Sequence, residues 1–83
     1  ESNLTESIKS ELELFKYISD FAINVSNKNR KMAEEIERRA EELDRDPYDR
    51  DAQSDLLAIM RKGVVDKNNA KILDSVEDFL EKL

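Results

Sequence analysis

Asp44-Arg45-Asp46-Pro47-Tyr48-Asp49-Arg50-Asp51-Ala52 decides how this 83-residue chain folds, because it holds the only proline. The ring of Pro47 clashes with a helical conformation at Asp46, so a helix arriving from the N-terminal side must end near Asp44 to Asp46 and give way to a turn over residues 46–50. Asp49 or Asp51 can then accept backbone N–H bonds and cap a second helix, and acidic groups in a first turn are favoured by the helix dipole. The spacing of apolar residues on both sides says what is being turned.

Upstream, Leu4, Ile8, Leu12, Phe15, Ile18, Ala22 and Val25 recur every three or four positions, and Met32, Ile36, Ala40 and Leu43 continue in the same phase. This predicts one long helix over about residues 3–45. Asn24, Ser26, Asn27 and Asn29 are the weak point, since short polar side chains compete for backbone hydrogen bonds and invite a break. The kept phase favours continuity, with Asn29 facing solvent beside Lys28 and Arg30 or, alternatively, sitting in the seam as a register-setting residue. Glu34 with Arg38 and Glu35 with Arg39 have the i, i+4 order of a solvated outer face.

Downstream, Ala52, Leu56, Ile59 and Met60 form a helical stripe over about residues 51–62, closed by Arg61 and Lys62 before the chain's only glycine, Gly63. A stripe of Val65, Ile72, Val76, Phe79 and Leu83, widened by Leu73 and Leu80, predicts a further helix over about residues 65–83. Carrying the earlier phase forward would bury Lys67, so the second arm is expected to bend at Gly63 and Val64, with Asp66 as a cap. The expected fold is therefore all-α and a single domain over residues 1–83: a long N-terminal helix with an antiparallel second arm broken near Gly63, a helical hairpin or three-helix bundle.

The chain has no cysteine and no histidine. That removes the thiolate nucleophile, the imidazole base and the usual zinc ligands, and the expectation is no enzyme, no cofactor and no small-molecule substrate. Asp44, Asp46, Asp49 and Asp51 are the one cluster resembling a metal site, but calcium needs a glycine-bearing loop where Pro47 and Tyr48 stand, so they read as caps and charge partners and no metal is expected. The formal net charge is −6, with 10 acidic and 7 basic residues, hence −3, in each of residues 1–42 and 43–83. No concentrated basic face is present, which excludes nucleic acid as an expected partner. The apolar runs are too short to cross a bilayer, so no membrane insertion is expected. The chain opens on Glu1 rather than Met, which reads as a piece of a longer protein, and the cytoplasm is the favoured compartment.

Phe15, Tyr17, Ile18, Phe21 and Ile23, together with Leu14, give the first helix an apolar face broader than one hairpin partner covers, unless the two pieces of the second arm wrap both of its sides. Leu14, Phe15, Ile18, Phe21 and Val25 are the candidate interaction residues, and a partner helix or a second copy is the expected ligand. The expected function is thus a non-catalytic helical interaction or assembly module, of coiled-coil character and oligomeric. A regulatory helical appendage of a larger protein is the alternative from the residues alone.

The stretch Asp46 to Ala52, followed by Leu56, Leu57 and Met60, resembles the turn and second-helix start of bacterial type III secretion needle subunits, which are helical hairpins with a proline-bearing turn. The resemblance implies a needle-like subunit, or a small secretion chaperone of similar architecture, associated with a secretion system. It covers the turn and the general plan; the chain departs from the pattern in its high charge and in its shorter, Gly63-interrupted second arm.

Overall fold

Asn27, Lys28 and Asn29 end the first helix and start a second. The Lys28 and Asn29 N–H groups both donate to the Val25 carbonyl, at 2.9 and 2.8 Å. Asn29 then turns extended, with φ −147° and ψ 93°, and its side chain accepts from Met32 N at 3.1 Å, the geometry of an N-cap. A computed structural model describes the backbone of residues 2–82 and the side chains of residues 11–82. It resolves the chain into α1 (Ser2–Ser26), α2 (Arg30–Arg45), α3 (Arg50–Lys62) and α4 (Lys67–Lys82), with no strand among the described residues.

The helix expected over residues 3–45 is therefore corrected to two helices, and Asn29 belongs to neither seam nor outer face but to the cap between them. Replacing Asn29 with Leu removes the acceptor for Met32 N. The expected result is a loss of about 1 kcal/mol in a denaturant melt, with unchanged mass in solution. A gain in stability would place Asn29 in a seam after all.

The other two junctions follow from local chemistry. Asp46, at φ −150° and ψ 90°, is extended before Pro47 as sterics require, and its carboxylate accepts from Tyr48 N at 3.2 Å. Asp49 caps α3 by accepting from Asp51 N and Ala52 N, at 3.0 and 3.3 Å. Asp66 caps α4 by accepting from Asn69 N at 2.8 Å. The loop at Gly63 to Asp66 separates α3 from α4.

The helices close a ring in chain order: α1 packs on α2 and α4, and α3 packs on α2 and α4. Asn24 meets Asn69 while Tyr17 meets Phe79 further back along α1, so α4 runs antiparallel to α1. Arg39 reaches Asp55 across the α2–α3 seam at 3.5 Å, and Gly63, at the end of α3, faces Met32 at the start of α2, so these two are antiparallel as well. The radius of gyration, 12.4 Å, is close to the roughly 12 Å of a compact chain of this length.

The core is built from Leu14, Ile18, Phe21, Ala22 and Val25 of α1; Ala33, Ile36 and Leu43 of α2; Ala52, Leu56 and Met60 of α3; and Leu73, Val76 and Leu80 of α4. Two polar side chains share it. Gln53 donates from Nε2 to the Pro47 carbonyl at 2.7 Å. Asn69 occupies the first core position of α4, accepts from Asn24 Nδ2 at 3.1 Å and donates to the Gly63 carbonyl at 3.4 Å, so its burial leaves no polar atom unpaired. The fourth stripe is thus Asn69, Leu73, Val76 and Leu80. Val65, expected to lead it, lies outside the helix and is exposed. Leu83 lies outside the described residues.

Candidate functional site

Four of the five candidate interaction residues are consumed by the fold. Leu14, Ile18, Phe21 and Val25 are each at most 2% exposed, because α2 covers one flank of α1 and α4 the other. The break at Asn29 supplies the extra partner that a two-armed hairpin lacks, so the breadth of the apolar face is not a surplus. These four are corrected from interaction surface to core. Phe15 alone stays partly open.

Phe15 stands in the wall of a groove of about 420 Å³ between α1 and α2. Leu12, Phe15, Ile18, Ser19 and Ala22 line it from α1, and Glu37, Ala40, Glu41 and Asp44 from α2. On a helix, positions 12, 15, 19 and 22 fall on one face, and so do 37, 40, 41 and 44. The groove exists because its middle is made of small residues: Ser19, Ala22 and Ala40 leave the depth that larger side chains would fill. Its floor is apolar and its α2 rim is acidic.

Two exposed apolar side chains mark the same side of α1. Leu12 is 69% exposed and Ile23 is 60% exposed, and the step of eleven positions from one to the other is just over three helical turns, which keeps them nearly in line. Leu12 was expected in the internal stripe; the seam centres on Leu14, Ile18, Phe21 and Val25 instead and turns Leu12 outward. Leu4 and Ile8 lie outside the described side chains.

Charge is distributed unevenly around α2. On the flank toward α3, Arg39 contacts Glu35, Glu42 and Asp55 within 3.6 Å, and Arg38 contacts Glu35 at 2.8 Å. The expected Glu35–Arg39 pair forms, whereas Arg38 turns to Glu35 instead of Glu34. On the groove flank, Glu37, Glu41 and Asp44 take part in none of the ion pairs among the described side chains. Two other depressions are of a different kind. One, between α3 and α4, sets Arg50 and Arg61 against Glu77 and Glu81. The other, between α2 and α3, contains the Arg39–Asp55 pair. Both balance their own charge.

The acidic turn has a structural occupation, since Asp46 and Asp49 hold backbone N–H groups. No three carboxylates converge among the described residues. No helix of the described residues is long and apolar enough to cross a membrane. No protein-family model, curated protein sequence or solved structure matches the chain.

The groove was missed in the sequence because its two walls come from helices read as one. The signal available was the pairing of small residues, Ser19 and Ala22 with Ala40, on faces that only a break after Ser26 brings together.

Proposed function

We propose that the protein is a non-catalytic helical interaction module whose binding surface is the α1–α2 groove, in place of the broader α1 face. The observation that carries this reading is Leu12: a large apolar side chain that the fold leaves mostly in water, at the mouth of a trough with an apolar floor. Two packed helices with a small-residue groove between them offer a seat for the ridge of a third helix. Apart from the single hydroxyl of Ser19, the polar groups of the trough lie on its α2 rim, which suits a helix side-on better than a small molecule. A needle-like assembly, in which the third helix comes from the next copy, rests on the resemblance at Asp46 to Leu57 and adds a filament that electron microscopy detects.

The test is a titration of the isotope-labelled chain with a synthetic amphipathic helix of Leu-rich face and uncharged polar edges. Amide signals along residues 12–22 and 37–44 are expected to move together. Ser19→Trp, which fills the trough from an exposed helical position, is expected to weaken binding at least about tenfold with the melt little changed. Amide shifts confined to α3 and α4 on titration to about 1 mM peptide overturn the reading.

A further inference from the structure

We infer that the occupant of the α1–α2 groove is a basic amphipathic helix from a different protein, carrying Lys or Arg along the edge that faces α2. The inference rests on the docking reading and adds the partner's chemistry.

Glu37, Glu41 and Asp44 stand at i, i+4 and i+7 of α2, which places three carboxylates in a row along one rim. Of the four arginines of α2, Arg38 and Arg39 are engaged by Glu35, Glu42 and Asp55 on the flank toward α3, while Arg45, at i+4 from Glu41, forms no ion pair among the described side chains. The rim thus carries a line of carboxylates that form no ion pair among the described side chains, beside an apolar floor and with Arg45 as the one cation at its end of α2, and a cationic edge at matching helical spacing pairs with them. A docked helix with Lys or Arg at i, i+4 and i+7 and apolar anchors one face over meets both features at once. The span from Leu12 to Ala22 is about 15 Å, which matches about three turns of such a helix.

A second copy fits less well. Each copy carries a net charge of −6, and a two-fold contact through the groove sets the acidic rim near its own duplicate, where like charges oppose association. A cationic partner instead gains from the field of the whole chain, which raises its rate of encounter at low salt.

Three synthetic helices test this on the full chain, identical in their Leu face and differing only in the edge: Lys, Gln or Glu. A fourth keeps the Lys content but scrambles the Leu spacing. At about 50 mM salt the Lys helix is expected to bind at least about tenfold tighter than the Gln helix, with the Glu helix weakest. The spread should contract at about 500 mM salt, where charges more than about 4 Å apart are screened. The triple variant Glu37→Lys, Glu41→Lys, Asp44→Lys, whose changes all lie at the groove rim, should invert the order while retaining its helical signal.

Equal binding of the Lys and Gln helices overturns the basic partner and leaves the docking reading standing. Equal binding of the Lys helix and its scrambled form also overturns it, since charge alone then accounts for the contact. Failure of all three patterned helices overturns the docking reading itself. A concentration-dependent dimer that Ser19→Arg abolishes would make the occupant a second copy and overturn the inference.

Discussion

Ile18→Asp is expected to abolish the cooperative fold, whereas Phe15→Asp, three residues earlier on the same helix, is expected to leave it intact. Ile18 is 1% exposed at the centre of the α1 seam. Removing its side chain costs about 2–5 kcal/mol in lost burial and cavity, and an unpartnered carboxyl in its place adds about 2–7 kcal/mol. A chain of 83 residues has a total stability of about 4–12 kcal/mol, so the loss is on the scale of the whole. Phe15 borders the open groove, so a carboxylate there keeps its water and the change costs about 1–2 kcal/mol of partial burial. Circular dichroism with thermal melts separates the two. Equal damage from both substitutions would mean that the groove face is as buried as the seam, and the proposed docking surface would not exist.

The turn chemistry was legible because it is local. Pro47 restricts Asp46, Asp49 sits at cap spacing before an apolar stripe, and Gly63 follows a basic last turn; each acts within a few residues whatever the rest of the chain does. The break at Asn29 was not legible from periodicity, because a three-residue connection happens to restore the apolar phase: Ala22 and Val25 continue into Met32 and Ile36 as they would on an unbroken helix. The information was present in Asn27 and Asn29 as cap formers, but the phase argued the other way. That one break decides the site. With α2 counted as part of α1, the first helix is short of internal partners, and Leu14, Ile18, Phe21 and Val25 are left for an outside one. Splitting the helix gives those four side chains their neighbours and creates a groove that no single-helix reading contains. Asn69 shows the opposite limit: a core position filled by an amide is invisible to an apolar stripe, and only the hydrogen bonds to Asn24 and Gly63 explain it.

Gly63→Val is expected to destabilise the chain by about 3 kcal/mol, near the top of the range for overpacking a closed core. Gly63 caps α3 at φ −89° and ψ 0°, a conformation open to any residue, so backbone freedom is not its reason for being glycine. Space is the reason. A Cβ at this position would lie 3.0 Å from Phe21 Cε1, 3.2 Å from Val25 Cγ2 and 3.3 Å from Met32 Sδ. Phe21 and Val25 are locked in the α1 seam, while half-buried Met32 has rotatable bonds to spare. Gly63→Ala therefore asks for a shift of a few tenths of an ångström, mostly by Met32, and its cost is offset by about 0.4–1 kcal/mol from a stiffer unfolded chain. Alanine should fall within about 1 kcal/mol of the parent, whereas the two further methyls of valine have nowhere to go. For a domain of this size a loss of about 3 kcal/mol lowers Tm by more than about 10 °C. Met32→Ala, which opens the one yielding wall, should recover part of that loss in the Gly63→Val background while costing stability on its own, a coupling that a double-mutant cycle reads directly. A valine variant as stable as the parent, or one that Met32→Ala leaves unimproved, would show that α1, α2 and α3 do not converge on Gly63 this closely.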